Sequence, residues 1–228
     1  MTPDIQDLEA ILPALRNLSV RVAVDVGCGA GEMSRFLVDE GFTVLGLEPN
    51  IYLKPEYEET LGDFIKLGKV TVLNLAVSDE DGEGDLSLAS GINSLDEHFL
   101  EVVFPENIVS GKLLVPIRRL SRILGERGME SVGFLKIDAE GYDYRVLRGL
   151  FDGGNVRPAI VMFEAVEDFP ERAMDCLSVL IANGYTEFLS FIKYGDELLA
   201  TSRFDGKSLP DSWRTYPGKH FYVNVIAQ

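Results

Sequence analysis

Apolar and polar positions follow two periods along the chain, one typical of helices and one of buried strands. Apolar residues three or four positions apart predict helices, whereas short continuous apolar runs predict strands that are buried on both faces. Helices are predicted over 4–18, 32–39, 52–67, 120–127, 142–150 and 170–182. Strands are predicted over 20–26, 42–47, 70–75, 86–88, 113–117, 133–137, 159–163, 186–191 and 220–226. Strand and helix alternate through most of the chain, which favours a doubly wound α/β fold: a mainly parallel sheet with helices on both faces.

The alternation fails in one stretch, residues 89–111. It contains a loop of Gly, Ser and Asn and a candidate helix over 95–103, without a clean period. Long irregular segments inside a regular fold are commonly functional, so we expect 89–111 to be an insert on the substrate side of a site. Residues 79–85 are predicted to form an acidic, solvated turn. We expect 1–228 to be a single domain, with a helix within 1–19 at its start.

Composition narrows the classes of function. The 21 Lys and Arg residues against 37 Asp and Glu give a net charge of −16, which argues against binding nucleic-acid phosphates or anionic lipid. The two cysteines, Cys28 and Cys176, predict no disulfide framework. No apolar run approaches the ~18 residues of a membrane span, and the first residues are not expected to form a signal peptide, since they include neither a basic nor an apolar segment. We therefore expect a cytoplasmic protein.

A glycine-rich turn follows the first predicted strand. Gly27, Gly29 and Gly31 occupy alternate positions after Asp25. Glycines there permit a tight turn and a close approach of the backbone to a ligand. The dinucleotide fingerprint G-x-G-x-x-G would require a third glycine where this chain has Glu32. Acids on both sides of the turn suit a ligand with a sulfonium and an amino group better than a pyrophosphate.

An acidic residue, Glu48, ends the second predicted strand, 21 positions after Gly27. A carboxylate there can accept both ribose hydroxyls of an adenosine. Nicotinamide cofactors are held in the same way, so Glu48 indicates an adenosine without choosing between cofactors. The third strand leads into residues 74–79, which would present backbone N–H groups and side chains to an adenine edge.

Carboxylates form a second group of candidates. Asp138 and Glu140 follow a predicted buried strand, and Glu164 ends the next one. Because the carboxyl ends of parallel strands meet at one edge of a sheet, we expect the three to converge. They could supply a general base with orienting partners, or a divalent-metal site, or Glu140 could simply begin the next helix. We order the candidate bases as Asp138, Glu140, Glu164 and then His98 of the insert.

Four sequence motifs resemble those of the FkbM-type S-adenosylmethionine-dependent methyltransferases: Val-Asp-Val-Gly-Cys-Gly-Ala-Gly, Leu-Glu-Pro-Asn, Ala-Val-Ser-Asp and Phe-Leu-Lys-Ile-Asp-Ala-Glu-Gly-Tyr. The resemblance extends over about 21–164, and the run Lys-Ile-Asp-Ala-Glu-Gly is its most specific part. It implies a Rossmann-like class I methyltransferase fold. It also implies methyl transfer to a hydroxyl of a sugar, a glycolipid or a secondary metabolite.

The same resemblance implies a cofactor site. The turn would hold the methionine end of S-adenosylmethionine, Glu48 the ribose, and the residues after the third strand the adenine, while Asp138 would lie close to the sulfonium. The implied cofactor-binding residues are Asp25, Gly27, Gly29, Gly31, Glu48, Asn50, Ala76, Val77, Ser78 and Asp138. Where the family usually has a small or acidic residue, this chain has Tyr142, and the run Tyr142-Asp143-Tyr144 is expected to narrow the acceptor's approach. The resemblance does not fix a catalytic base.

Three functional interpretations follow. The leading one is an O-methyltransferase that acts on a small-molecule or glycan acceptor and uses S-adenosylmethionine as cofactor. A requirement for a divalent metal is left open. A nicotinamide-dependent oxidoreductase is disfavoured by Glu32 and by the lack of an obvious Tyr-x-x-x-Lys pair. The third is a non-catalytic nucleoside-binding module. An Asn/Asp-Pro-Pro-Tyr motif, which would signal methylation of a nucleobase amine, does not follow the fourth strand, and the sequence carries no indication of oligomeric state.

Overall fold

The computed structural model describes residues 3–89, 92–106, 109–194, 197–214 and 222–228. Its strands are β1 (Val22–Val26), β2 (Thr43–Leu47), β3 (Val70–Leu73), β4 (Ala76–Ser78), β5 (Gly82–Leu88), β6 (Asn93–Ser94), β7 (Gly111–Arg119), β8 (Phe134–Ile137), β9 (Ile160–Val166), β10 (Phe188–Tyr194), β11 (Glu197–Phe204) and β12 (Tyr222–Ala227). Its α-helices are α1 (Pro3–Arg16), α2 (Glu32–Asp39), α3 (Lys54–Lys66), α4 (Glu97–Val103), α5 (Leu120–Glu126), α6 (Asp143–Phe151) and α7 (Pro170–Ala182). Short 3-10 helices cover Ile51–Leu53 and Asp211–Arg214.

Eight strands form the larger sheet, in the order β11-β10-β12-β9-β8-β1-β2-β3. Five neighbouring strands, β9, β8, β1, β2 and β3, run parallel, which confirms the predicted doubly wound arrangement. The remaining three strands continue the sheet in antiparallel pairing at one edge. The carboxyl ends of the parallel strands therefore lie along one edge of the sheet, where ligands of such folds bind.

Helices cover both faces of the larger sheet. Alternate strand residues point to opposite faces, so Val24 and Leu135 pack with α5, α6 and α7, whereas Ala23 and Phe134 pack with α1, α2 and α3. All four of these strand side chains are fully buried. Such two-sided burial explains why the central strands read as continuous apolar runs. No described helix combines the length and the apolar character that crossing a bilayer requires.

A second sheet, in the order β4-β7-β5-β6, was not predicted. The run 70–75 was expected to be one strand, but the chain leaves the larger sheet after β3, and β4 pairs with β7 instead. Residues 79–85 were expected to form an acidic turn. This prediction is wrong from Gly82 onward, because β5 begins there and pairs with β7. The insert 89–111 contributes β6, which pairs with β5, and α4.

Two expectations at the antiparallel edge are also corrected. The strand predicted over 159–163 continues to Val166, because β12 pairs with residues 161–166 of β9. Glu164 therefore lies inside a strand, opposite Asn224, instead of ending it. The hairpin partner β11 was missed. Of the predicted strand 220–226, the first two positions lie outside the described residues.

Candidate active site

The glycine turn and the carboxylates meet in one cleft of about 230 Å³ at the carboxyl ends of β1, β2 and β8. Of the predicted site residues, Gly27, Gly29, Glu48, Ala76, Val77, Asp138 and Glu140 line it. The remaining lining residues are Val26, Leu47, Pro49, Leu53, Leu75, Leu86, Ile92, Asn93, Leu95, Ala139 and Tyr142. Three of these, Ile92, Asn93 and Leu95, come from the insert.

The glycine turn uses positive φ angles at all three glycines, 72° at Gly27, 51° at Gly29 and 89° at Gly31. A Cβ atom on Gly27 would lie 1.9 Å from the backbone oxygen of Asp138, and one on Gly31 would lie 2.6 Å from Leu61 Cδ1. Nothing lies within 4 Å of a Cβ atom on Gly29. The outer two glycines thus let the turn pack against β8 and α3, while Gly29 leaves room for a ligand to approach the backbone.

Two backbone N–H groups hold the Glu48 carboxylate at the end of β2. Gly29 donates to Oε2 at 2.9 Å and Asn50 donates to Oε1 at 2.8 Å. Burial raises the pKa of Glu48, although these hydrogen bonds oppose the shift. Each carboxylate oxygen retains a lone pair that a ribose hydroxyl could use. Asn50 is buried and accepts from the Tyr52 N–H through Oδ1, so the structure places it behind Glu48 and outside the cleft lining.

A buried lysine that the sequence reading missed connects the turn with the carboxylates. Lys136 Nζ donates to Asp138 Oδ2 at 2.9 Å and to the Gly27 backbone oxygen at 3.3 Å, and it lies 3.8 Å from Asp25 Oδ1. Asp25 is fully buried and also accepts from Ser34 Oγ at 2.6 Å. Asp25 therefore holds Lys136 and α2 behind the turn, outside the cleft lining. A lysine within an apolar strand was the available signal.

The structure brings Asp138, Glu140 and Glu164 together, with one oxygen of each within 4.8 Å of the others. Asp138 and Glu140 line the cleft, whereas Glu164 does not. Oxygen ligands at this spacing suit a hard divalent cation, and exposed acidic groups also adopt it without one.

Glu140 has an unusual backbone. Its φ angle of 50° makes it the one non-glycine residue at positive φ among those that the structure describes. A left-handed conformation costs a residue with a side chain about 1–2 kcal/mol. Ser94 Oγ donates to the Glu140 backbone oxygen at 2.6 Å, and Arg172 Nη1 donates to that of Gly141 at 3.2 Å.

Asp143, in the first turn of α6, accepts hydrogen bonds from the backbone of the 139–141 loop and of β9. Its Oδ1 accepts from the Glu164 N–H at 3.2 Å, and its Oδ2 accepts from the Ala139 N–H at 3.4 Å. Burial, followed by the charge of Asp138, raises the pKa of Asp143 to about 7. The sequence singled out Asp143 only as part of the run 142–144 and did not predict its contacts with the loop, because an acid in the first turn of a helix is common.

Three other predicted residues lie elsewhere. His98 is an exposed residue of α4, 3.7 Å from Glu101 and edge-on to the Phe169 ring, away from the cleft lining. Ser78 is buried, donates to the Asp79 carboxylate and has its backbone oxygen against Gly149 of α6. Gly31 precedes α2, packs against Leu61 of α3 and lies outside the cleft lining.

The cleft combines an apolar wall with an acidic floor. Its charged lining residues are Glu48, Asp138 and Glu140, and the described lining includes no Lys, Arg or His. Tyr142 and Asn93 are the other polar side chains that reach it. The arrangement suits a ligand with an apolar body, hydroxyl groups and a positive charge.

A family profile, the methyltransferase FkbM domain, matches residues 25–198. No curated protein sequence matches the chain. Among solved structures, the methyltransferase FkbM from Methylobacillus flagellatus is 15% identical with a TM-score of 0.50; the match covers 90% of this chain and 43% of that one.

Two further solved structures are similar at lower scores. Precorrin-6y C5,15-methyltransferase from Geobacter metallireducens is 12% identical with a TM-score of 0.46, covering 98% of this chain and 87% of that one. An O-methyltransferase from Bacillus cereus in complex with SAH is 11% identical with a TM-score of 0.47, covering 96% and 79%. Likenesses at these scores carry no argument about the activity or the fold of this chain. The fold is the Rossmann-like class I methyltransferase fold, and the profile match spans well over half of the chain. The chain belongs to the FkbM methyltransferase domain family of S-adenosylmethionine-dependent enzymes.

Proposed function

We propose that this protein transfers a methyl group from S-adenosylmethionine to a hydroxyl of a small-molecule or glycan acceptor. The observation that carries the proposal is the placement in one cleft of Glu48, held by two backbone N–H groups, together with Asp138 and Glu140. Glu48 would accept hydrogen bonds from a ribose, and Asp138 and Glu140 are the candidates for removing a proton from an acceptor.

The residues of the cleft fit the cofactor. Glu48 is fixed where it can accept ribose hydroxyls, Gly29 leaves open space beside the backbone, and Ala76 and Val77 offer an apolar surface to an adenine ring. The acidic lining favours a ligand that carries a sulfonium and an amino group. When bound, the cofactor supplies a methyl group that the positive sulfur activates toward nucleophilic attack.

Asp138 is our first choice for the general base. Lys136 holds its Oδ2, which fixes the orientation of the carboxylate and leaves Oδ1 as the atom that would take the hydroxyl proton. A positioned base contributes roughly 10²–10⁴-fold to such a step. Alignment of the hydroxyl and exclusion of water supply the rest, and the insert residues Ile92 and Leu95 add apolar side chains to the cleft lining.

Glu140 is the second choice, because it also lines the cleft, and Glu164 the third, because it lies behind the loop. We leave His98 out of the mechanism, since its side chain is exposed and outside the lining.

Calorimetric titration with S-adenosylmethionine, S-adenosylhomocysteine and NAD, with and without Mg²⁺, tests the cofactor. We expect micromolar binding of the adenosyl pair and none of NAD. Binding of NAD alone would overturn the proposal, and a difference caused by Mg²⁺ would assign the three carboxylates to a metal.

Methyl transfer to a panel of hydroxyl compounds, including methyl glycosides, tests the reaction. Asp138→Asn is expected to lower kcat at least 100-fold, which is far more than the loss of cofactor affinity. Asp152→Asn, on an exposed carboxylate paired with Arg148, is the matched control. Normal turnover with a tenfold weaker affinity would refute the base role of Asp138. Cofactor binding with no turnover on the whole panel would favour a nucleoside-binding module.

A further inference from the structure

We propose that Ser94 is a positioning residue through which the insert, residues 89–111, sets the direction of the Glu140 side chain in the cleft. This inference rests on the proposed function, because it assigns a purpose to Glu140 as one of the two carboxylates beside the acceptor. The juxtaposition that carries it is a buried serine hydroxyl on the backbone oxygen of a residue in a left-handed conformation.

Ser94 is well placed to hold that conformation. It is buried in β6, and its hydroxyl donates at 2.6 Å to the Glu140 oxygen, 46 positions away in the sequence. The same oxygen atom of Ser94 accepts from the Asp96 N–H at 2.9 Å, which orients the hydroxyl proton toward Glu140. The contact is thus a directed hydrogen bond between two segments that meet only in the folded protein.

The conformation of Glu140 needs such support. A glycine would adopt its φ angle without strain, whereas a glutamate is held there by its surroundings. A change of φ at this residue would rotate the Cα–Cβ bond and move the carboxylate away from Asp138. Neighbouring contacts fix the loop on either side, with Asp143 on the Ala139 N–H and Arg172 on the Gly141 oxygen.

The insert also contributes to the lining of the cleft. Ile92, Asn93 and Leu95, the neighbours of Ser94, line the cleft, so an acceptor that presses on them acts on the segment that holds Glu140. Arg172 extends the same connection, because its guanidinium pairs with Asp96 at 2.8 Å while it holds the Gly141 oxygen. Residues 92–96 would therefore link contact with the acceptor to the direction of the Glu140 carboxylate.

The test compares Ser94→Ala with Ser121→Ala. Ser121 also donates its hydroxyl to a distant backbone oxygen, that of Gly149 at 2.7 Å, but it lies outside the cleft. We measure the affinity for S-adenosylhomocysteine by calorimetry, amide hydrogen exchange of residues 138–145, and kcat and KM on the best acceptor of the hydroxyl panel.

For Ser94→Ala we expect at least tenfold faster exchange in 138–145, at least a tenfold loss of kcat, and an affinity for S-adenosylhomocysteine within twofold of the parent. Ser121→Ala should match the parent in all three, and Ser94→Thr, which keeps the hydroxyl, should restore kcat to within threefold. Unchanged exchange in 138–145, or faster exchange with unchanged kcat, would overturn the role of Ser94. A parent protein that does not bind S-adenosylhomocysteine would instead overturn the proposed function, and the exchange measurement would still decide on the contact.

Discussion

Replacing Asp143 by asparagine should remove a specific part of the pH dependence of folding. The carboxyl of Asp143 is buried under the loop that carries Asp138, and burial together with the charge of Asp138 raises its pKa from 3.8 to about 7. A raised carboxyl pKa means that the folded protein binds a proton that the unfolded chain has already released. Between the two pKa values, the stability of the folded state therefore falls as the pH rises.

The size of the effect follows from that shift. At pH 5.5 the folded protein holds the proton almost completely, and at pH 8.5 it has lost it. Proton linkage with a folded pKa of about 7 gives a loss of about 2 kcal/mol in the free energy of unfolding over this window. Asparagine does not titrate, so the loss should be absent from the Asp143→Asn variant.

Urea unfolding followed by circular dichroism at pH 5.5, 7.0 and 8.5 measures the difference. The parent should lose about 2 kcal/mol more than Asp143→Asn across the series, and the exposed control Asp152→Asn should follow the parent. Asp138→Asn should move the parent's decline to a lower pH range, because it removes the second cause of the shift. Parallel profiles for parent and Asp143→Asn would show that Asp143 ionises in its ordinary range and would refute the reasoning.

Three further predictions concern individual residues of the site. Glu48→Gln should weaken the affinity for S-adenosylhomocysteine at least tenfold, since a hydrogen bond to a charged group is worth about 1.5–3 kcal/mol; unchanged affinity in calorimetry would remove Glu48 from the site. Gly27→Ala should destabilise the fold far more than Gly29→Ala in urea unfolding, because only the first Cβ atom collides with backbone, at 1.9 Å, and equal losses would contradict the packing of the turn. His98→Ala should keep turnover within twofold in the methyl-transfer assay, as expected for an exposed side chain outside the cleft, and a large loss would return His98 to the mechanism.

Local signals predicted the regular part of the fold. Helices α2 and α7 have the predicted bounds, because Gly31 precedes the first and Pro170 opens the second. The second sheet was missed because it depends on long-range pairing and not on local signals. The apolar character of 70–75 extends into Ala76–Ser78, and only the pairing of β4 with β7 shows that the chain has changed sheets. Such pairings join residues that are about 40 positions apart and have no local signature.

The residues of the site also divide into those that local signals predicted and those that depend on tertiary packing. Residues at the ends of strands, such as Gly29, Glu48 and Asp138, were identified because the topology of a parallel sheet brings those ends together. Ser94 and Asp143 act through contacts with backbone atoms of the 139–141 loop, which depend on how the insert and α6 pack. Their residue types are common in strands and helix starts, so the sequence could not distinguish them.

The position of β12 in the larger sheet affects the order in which that sheet can form. β12 follows β10 and β11 in the chain but lies between β9 and β10 in the sheet. Before β12 joins the sheet, β9 and the β10–β11 hairpin each present an unpaired edge, and β9 is almost wholly apolar. Open edges of this kind attract other strands. A chain in which β12 has not yet paired therefore holds all the parallel strands and the cleft residues, yet exposes two edges that can pair with other molecules until β12 closes the sheet.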